Sequence, residues 1–267
     1  MRIGIIGMGQ MGGAIARGLI NHGGVAPDNI IANSLDTEVF LAAAADLGIT
    51  PEFDSHALVA AADCVLLAVK PSQAEAVLSA PVPDGTTPLS ALLAGKMLVS
   101  ILFGRHAAEL RALLPADCRL VCAIPNMPVS VGAGMWVCED DPALTAADRE
   151  QFAVVFGKIG QIEYVPTQLM GVAGTLTSCG PAFVALFHEA LGDAGVRYGL
   201  SRAQAYRLGA QLLTGYGTQA GATAAHPGVL KDRVCSPAGT TIRGVIALEE
   251  NGFRAAVIDA FRAILEK

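Results

Sequence analysis

Short apolar runs alternate with alanine-rich stretches along the first part of the chain. The runs are rich in β-branched residues and have the length of strands, whereas the alanine-rich stretches have the spacing of helices. Predicted strands cover residues 2–6, 29–33, 64–68, 97–100, 119–123 and 135–138, and predicted helices cover residues 11–21, 37–47 and 73–78. Strands that alternate with crossover helices predict a parallel, doubly wound sheet in an α/β domain.

The pattern changes after about residue 165, where helical spacing continues and strand-like runs stop. Predicted helices cover residues 169–196, 201–220, 228–234, 240–250 and 254–265. Ser201 starts one of them with Gln204 three residues later, which is the pattern of a capping box. We therefore predict two domains, an α/β domain over residues 1–164 and an all-helical domain over residues 165–267.

The helical domain has apolar residues on most of its helix faces. Leu, Val, Phe and Ala recur there with few charges between them. Long apolar helices with little charge are candidates for subunit packing. We expect a dimerisation domain and a homodimer at least, with a higher assembly of dimers as a further option.

Composition and charge exclude several classes of partner. The 267 residues are 52% hydrophobic and 16% charged, with a formal net charge of -6. An acidic chain with scattered Lys and Arg argues against a nucleic acid or an anionic membrane as partner. The most apolar stretches, residues 64–69 and 97–103, are too short to span a bilayer, so we expect no membrane partner.

Cysteine and histidine spacing gives no sign of a disulfide framework or a zinc site. Six cysteines include no C-x-x-C pair, and five histidines stand singly. We expect reduced thiols in a cytoplasmic protein. Glu189 and Asp193 lie one turn apart on a predicted helix and could in principle hold a divalent cation, but a solvated helix face is the much better explanation, and we expect no metal.

The strongest N-terminal signal is a G-x-G-x-x-G fingerprint between a predicted strand and a predicted helix. Gly7 permits a tight turn, Gly9 lets a pyrophosphate approach the backbone, and Gly12 lets helix and sheet pack closely. Gln10 and Met11 complete the first turn, whose N-terminus faces the phosphates. This context predicts a Rossmann dinucleotide site; the alternative is a glycine-rich turn without a ligand.

Cofactor preference stays open. Asn33 and Ser34, which follow the second strand, are neutral where an acidic residue commonly binds the ribose. Asp36 lies slightly later and is as well placed to start the next helix. With no arginine to pair with a 2′-phosphate, we expect the site to take NADPH or NADH.

Two further loops end predicted strands at the edge where ligands bind in such sheets. The first holds Ala68, Val69, Lys70 and Pro71, which we expect to flank the nucleotide, although Lys70 is also explained as a solvated loop residue. In the second, prolines on either side stiffen the loop around Asn126. Its amide would point at a nicotinamide or substrate; a plain rigid turn is the alternative.

A Ser-Pro-Ala-Gly-Thr-Thr-Ile-Arg segment over residues 236–243 opens a predicted helix near the C-terminus. Free N–H groups and the positive end of the helix dipole form a small anion site there, with hydroxyl donors beside it. An ordinary helix N-cap is the simpler alternative.

These blocks, in this order, closely resemble the pyrroline-5-carboxylate reductases. The resemblance spans almost the whole chain and includes the fingerprint and the Ala-Val-Lys-Pro and Pro-Asn motifs. It also includes residues 180–183 and 226–232, and it is most specific in residues 234–249. It implies a Rossmann domain, a helical dimerisation domain and an active site completed across the dimer. The implied reaction is reduction of 1-pyrroline-5-carboxylate to L-proline with NADPH or NADH, the last step of proline biosynthesis.

The resemblance also implies residue roles. Ser236, Gly239, Thr240 and Thr241 would contact the small-molecule substrate, with Thr241 nearest its ring nitrogen. Asn126 would sit beside the nicotinamide, so Thr241 and Asn126 are the expected catalytic residues. The cofactor carries the hydride chemistry, and the protein supplies orientation and electrostatics.

The chain departs from the family pattern in four places. Val121-Cys122 replaces a common arginine, and residues 101–104 form a bulky Ile-Leu-Phe-Gly loop in place of a small-residue loop. Cys179 and Ala238 stand where glycine or another small residue is common. These departures bear on cofactor preference and pocket size.

Three alternatives remain. The bulky loop fits a reductase of a related cyclic imine carboxylate. A hydroxyacid dehydrogenase commonly needs a lysine in the first long C-terminal helix, and no lysine occurs between Lys158 and Lys231. A non-catalytic dinucleotide-binding protein would leave the Ser236, Thr240 and Thr241 hydroxyls without a purpose.

Overall fold

The computed structural model describes residues 1–81 and 85–266 and divides the chain into two compact units, Met1–Ser178 and Cys179–Lys267. Lys267, the last residue of the predicted helical domain, lies outside the described residues. The first unit continues past the predicted boundary at residue 164, because Met170 packs in a buried cluster with Ile124 and Val137.

The first unit is built around one sheet. Within the described residues its strands are Ile3–Ile6 (β1), Ile30–Asn33 (β2), Thr50–Pro51 (β3), Cys64–Leu67 (β4), Met97–Ser100 (β5), Arg119–Pro125 (β6), Gly134–Glu139 (β7) and Gly160–Val165 (β8). Their order in the sheet is β3-β2-β1-β4-β5-β6-β7-β8. The strand order reverses direction between β1 and β4, which is the switch point of a doubly wound fold. The predicted α/β fold class is therefore confirmed.

The expectation of a parallel sheet is wrong at one place. β6 and β7 pair antiparallel, with Ala123 opposite Cys138, whereas the other pairs are parallel. The connection between them is too short for the crossover that parallel strands require. The sheet is therefore mixed.

Helices cover both faces of the sheet. In the first unit they are Gln10–Asn21 (α1), Thr37–Leu47 (α2), Ser55–Ala61 (α3), Ala74–Leu78 (α4), Ala107–Arg111 (α5), Ala146–Phe156 (α6) and Met170–Gly174 (α7). One core cluster includes Ile5 and Val99, and the other includes Val65 and Leu98. Such alternation of side chains between the two faces buries a strand on both sides.

Lys96 completes the short helix α3 from outside. Its ammonium donates to the carbonyls of Val59 at 2.7 Å, Ala60 at 3.0 Å and Ala62 at 2.7 Å. These carbonyls belong to the last turn, which has no intrahelical donors. The side chain thus caps a helix that the sequence pattern did not predict.

The second unit consists of helices. Its described helices are Gly180–Arg197 (α8), Arg202–Thr223 (α9), Pro227–Arg233 (α10), Thr240–Glu250 (α11) and Phe253–Leu265 (α12). α8 and α9 pack closely: the His188 ring lies edge-on to Tyr206, and its Nε2 is 2.8 Å from the Tyr206 carbonyl oxygen. Many large apolar side chains stay exposed, including Leu186 at 68% and Ile258 at 61%.

One helical run in the structure is both long and apolar. Residues Thr167–Arg197 form 31 residues with mean hydropathy 1.5, long and apolar enough to cross a membrane by length and composition alone. Only 17% of the apolar window is buried. An apolar helix that packs against a second subunit has the same properties, so the run alone does not identify a membrane span.

Candidate functional site

The turn after β1 is built tightly against the ends of two other strands. Gly7 has φ +105°, and a Cβ there would lie 2.5 Å from the carbonyl oxygen of Ala68. The N–H groups of Gly7 and Met8 both donate to the Asn33 carbonyl at 3.1 Å. Glycine is therefore required at position 7 by conformation and by space.

The N-terminus of α1 is left open beyond this turn. Gly9 is its N-cap residue, no side chain caps it, and its first turn carries no acidic residue. A Cβ on Gly9 would meet no atom within 4 Å, whereas a Cβ on Gly12 would clash with the Gly7 carbonyl. Gln10 is exposed, and Met11 packs on the core. Free N–H groups in an open space suit a phosphate.

A cleft of about 450 Å³ lies at this edge of the sheet. It brings together most of the predicted cofactor residues: Gly7, Gly9, Asn33, Ser34, Ala68, Val69 and Lys70. Its volume is in the usual range for small-ligand sites. The cleft extends further than predicted, because Phe53, Ser55, Gln73 and Val77 also line it.

The end of β2 presents neutral groups to the cleft. The Asn33 amide donates to Ser55 Oγ at 2.8 Å, and Ser34 is half-buried. Asp36 instead caps α2, where its carboxylate accepts the Val39 N–H at 3.3 Å. Asp36 therefore starts the helix, and because it also lines the cleft, its contact with the ribose stays a prediction. The pattern favours neither NADPH nor NADH by charge.

The loop after β4 supplies the cationic side chain of the cleft. The Ala68 N–H donates to the Ile6 carbonyl at 2.8 Å and continues the strand ladder. Lys70 is exposed, and its backbone N–H donates to Gln73 Oε1 at 3.1 Å. Pro71 begins a short 3₁₀ turn directly afterwards. The ammonium of Lys70 thus remains at the cleft with its backbone fixed.

Asn126 follows β6 and uses both ends of its amide within the protein. Oδ1 accepts the Met135 N–H at 2.9 Å, and Nδ2 donates to the Thr177 carbonyl at 3.0 Å. The side chain is 9% exposed. The amide therefore joins the loop after β6 to β7 and to a later turn, as the rigid-turn interpretation expects, and a nicotinamide contact stays a prediction.

That later turn is a π-helix over Thr175–Cys179, where the sequence predicted a continuous α-helix over residues 169–196. The Ser178 hydroxyl donates to the Pro125 carbonyl at 3.1 Å, beside the Asn126 contact. π-helical turns often occur at functional sites. Here the turn carries a carbonyl and a hydroxyl to the end of β6.

The predicted substrate segment belongs to the second unit. Gly239 is the N-cap residue of α11, and no side chain caps this helix. Ser236 accepts the Gly239 N–H through its carbonyl at 3.0 Å, and its hydroxyl lies beside Gly239. Ser236, Thr240 and Thr241 are exposed. The arrangement leaves backbone donors and three hydroxyls available to an anion.

Ala238 has a strained backbone in this segment. Its φ is +54°, in the left-handed region that favours glycine. The sequence departs from the family at this position, and the structure shows why glycine suits it. The strain is adjacent to the N-terminus of α11.

The His-Pro-Gly motif upstream has a structural role. His226 Nδ1 accepts the Gly228 N–H at 3.1 Å and caps α10. Lys231 pairs with Asp232. These residues define the helix that leads into the substrate segment.

Sequence reasoning missed a buried carboxylate. Glu139 ends β7, is 4% exposed, and accepts the Ala107 N–H at 2.8 Å and the Thr167 hydroxyl at 2.7 Å. It connects the first turn of α5 to the segment before α7. Its partners are far away in sequence, so no local pattern reveals the contact.

Four of the six thiols are core groups. Burial raises the pKa of Cys64 and Cys138 to about 12 and that of Cys118 to about 11, and it also raises the pKa of Cys122. All six cysteines are free. The buried thiols stay protonated at neutral pH and have no nucleophilic character.

Comparison with known proteins agrees with both units. Residues 167–267 match the model of the pyrroline-5-carboxylate reductase dimerisation domain, and residues 2–104 match that of the coenzyme F420-dependent NADP oxidoreductases. A pyrroline-5-carboxylate reductase of Treponema pallidum is 41% identical over 99% of both chains. One of Escherichia coli is 36% identical over 100% of this chain and 96% of its own.

A solved structure agrees over the same length. The Plasmodium falciparum pyrroline carboxylate reductase, determined with NADP bound, superposes with a TM-score of 0.84 at 28% identity. The match covers 99% of this chain and 95% of the other.

Proposed function

The chain belongs to the pyrroline-5-carboxylate reductase family, and from this premise we propose that the cleft of the first unit binds the cofactor and that the α11 segment of the second unit binds the substrate. The enzyme is an NAD(P)H-dependent oxidoreductase that reduces 1-pyrroline-5-carboxylate to L-proline, the final step of proline biosynthesis. Full-length identity to named reductases is the observation that carries this function.

The residues of the cleft suit a dinucleotide independently of the family comparison. The open N-terminus of α1, the free space at Gly9 and the cation of Lys70 suit a pyrophosphate and its charge. Asn33, Ser34 and Val69 would hold the adjoining sugars, with Ala68 and Pro71 fixing the loop. When bound, the nicotinamide supplies the hydride that adds to the imine carbon.

The protein binds and orients the substrate. We assign the substrate carboxylate to the N–H group of Thr240, assisted by the Ser236 hydroxyl. Gly239 would contact it as the N-cap residue, because its own N–H already donates to the Ser236 carbonyl. Thr241 is assigned to the ring nitrogen, where its hydroxyl donates a hydrogen bond or passes a proton from water. Positioning of two reactants in this way lowers a barrier by about 7–11 kcal/mol. A cyclic imine is basic enough to arrive partly protonated near neutral pH, so no strong acid is needed beside it.

Asn126 has a positioning role in this proposal. Its amide holds the Thr177 carbonyl and the Met135 N–H, so it fixes the loop that follows β6. The side chain would shape the wall beside the nicotinamide without donating to it.

The assembly is a homo-oligomer, and we propose a homodimer as its smallest form. The matched dimerisation domain and the exposed apolar side chains of α8 and α12 support this. The active site would be completed across the dimer, and further association of dimers is compatible with this arrangement. We also propose that the enzyme works in the cytoplasm without a metal, nucleic acid or membrane partner; its free cysteines support a reducing compartment.

A reductase of a related cyclic imine carboxylate is the second candidate. The loop after β5 carries Phe103, which is 53% exposed, where the family commonly has small residues. A bulky exposed ring would change the shape of a substrate pocket. This observation concerns substrate range and leaves the reaction type unchanged.

Steady-state turnover tests the function. Purified protein is assayed with 1-pyrroline-5-carboxylate and with its six-membered homologue, using NADH and NADPH in parallel. We expect proline formation from the five-membered substrate. Absence of turnover with either cofactor contradicts the assignment, and faster turnover of the six-membered ring favours the second candidate.

A further inference from the structure

The cofactor cleft continues beyond the end of β2 into a second recess of about 490 Å³. The two recesses share Leu35, Phe53, Ser55, Gln73 and Val77. Because the pyrophosphate is expected at Gly9 and α1, a ligand that extends past Ser34 must enter this shared region. The geometry is that of one continuous groove along the carboxyl edge of β1, β2 and β3.

Phe53 is placed at the level where β2 ends. β2 and β3 pair with Ala32 opposite Pro51, and the Glu52 N–H continues the ladder to the Ala32 carbonyl at 2.9 Å. Phe53 follows at once, and it lines the cleft together with Ser34. In a doubly wound fold the residue that ends the second strand faces the adenosine ribose.

The Phe53 ring is held on one side and open on the other. It lies edge-to-face with Phe40, with ring centroids 6.1 Å apart and an interplanar angle of 80°. Phe40 is fully buried, whereas Phe53 is 58% exposed. A braced aromatic ring that faces an open groove is ready to stack without losing much side-chain freedom.

The side chains that the two recesses share are uncharged. Leu35 is 87% exposed on one side, and Val77 lines the other. Charged side chains lie outside this shared region: Asp36 and Lys70 line the first recess, and Asp54 lines the second. The Asp54 carboxylate is already paired, because it accepts the His56 N–H and lies 2.9 Å from His56 Nδ1. These walls suit a flat, uncharged ring system more than a phosphate.

We propose that Phe53 stacks on the adenine of the dinucleotide, with Leu35 and Val77 enclosing the base. The proposal rests on the cofactor assignment made above and adds the residue that binds the adenine half. Base–aromatic stacking tolerates changes in the base because every base has a π-face. Phe53 therefore contributes affinity that NADH and NADPH share, and it does not discriminate between them.

The test measures binding of cofactor fragments by calorimetry on the full-length protein. Adenosine 2′,5′-bisphosphate and ADP-ribose carry the adenine, and nicotinamide mononucleotide lacks it. We expect Phe53→Ala to weaken binding of the better adenine fragment at least about fivefold, as expected for the loss of one stacked base. Nicotinamide mononucleotide should bind equally to both proteins.

Matched variants separate stacking from other causes. Phe53→Trp should retain affinity within about twofold, and Phe53→Leu, which keeps an apolar side chain without a ring, should lose it as alanine does. Phe103→Ala removes another exposed ring from a different loop and should not change adenine-fragment binding. Circular dichroism melting checks that each variant is folded.

The outcomes distinguish the two proposals. If wild-type protein binds adenine fragments and Phe53→Ala or Phe53→Leu binds them equally well, the stacking proposal is wrong and the reductase assignment stands. If wild-type protein binds neither adenine fragments nor NADPH, the cofactor assignment itself fails, and the stacking proposal fails with it.

Discussion

The side-chain amide of Asn126 donates to the carbonyl of Thr177 at 3.0 Å and thereby joins the loop after β6 to a π-helical turn. The contact spans two segments that the sequence treats as unrelated. It shows that Asn126 holds the loop after β6 in place, and the expected contact of Asn126 with the nicotinamide stays a prediction.

Replacement of Asn126 by alanine should destabilise the protein. The Met135 N–H and the Thr177 carbonyl lose their partner together, and buried groups left unpaired cost about 1–3 kcal/mol. Urea denaturation should show a lower free energy of unfolding. Wild-type stability with a large fall in kcat would contradict the positioning role and indicate direct contact with the reactants.

Replacement of Thr241 by alanine should raise the KM for the substrate and lower kcat while leaving nucleotide affinity intact. One neutral hydrogen bond is worth about 0.5–1.5 kcal/mol, which corresponds to about a 2- to 12-fold fall in kcat/KM. Thr241→Ser keeps the hydroxyl and should retain most of the activity. Unchanged kinetics in Thr241→Ala would remove this residue from the substrate site.

Replacement of Ala238 by glycine should stabilise the protein. Relief of the left-handed conformation gains about 1–2 kcal/mol, and the greater freedom of glycine in the unfolded chain costs about 0.5–1 kcal/mol. We expect a net gain on the order of 1 kcal/mol in thermal or urea unfolding.

Two alanines provide controls for this change. Ala224 also has a positive φ, of +48°, at the end of α9, and Ala224→Gly should stabilise in the same way. Ala210 is exposed in the middle of α9, where glycine should destabilise by about 1 kcal/mol. A loss of stability in Ala238→Gly would show that the left-handed conformation of Ala238 does not destabilise the folded protein.

Thiol labelling should separate the cysteines by location. Burial keeps four thiols protonated, so a disulfide reagent at pH 8 should modify at most Cys179 and Cys235 in the native protein. All six should react after denaturation in guanidinium. Fast reaction of more than two native thiols would contradict the packing of the core.

The sequence predicted what local chemistry determines. The turn at Gly7 requires a backbone that only glycine adopts, and the start of α9 depends on Ser201 and Gln204, which are neighbours along the chain. The same holds for the N-terminus of α11. Each of these features depends on residues within one turn, so a pattern of letters is enough to predict it.

Features that depend on distant partners were not predicted. Asn126 depends on Thr177, and Glu139 depends on Thr167 and Ala107; none of these spacings is visible in a local pattern. β3 is only two residues long, so no strand periodicity marked the position of Phe53. The cleft was therefore predicted where the glycines lie and missed where the adenine is proposed to bind.

The contact of Lys96 with the end of α3 limits the order in which the chain can fold. α3 has seven residues, fewer than the roughly 12–15 that an isolated helix needs, and its last carbonyls are satisfied by a lysine 37 residues after Val59. That lysine directly precedes β5, so the last turn of α3 is capped only after β5 has paired with β4. Amide hydrogens of α3 and β5 should then exchange with solvent as one cooperative unit, and a change that loosens the strand would open the helix with it.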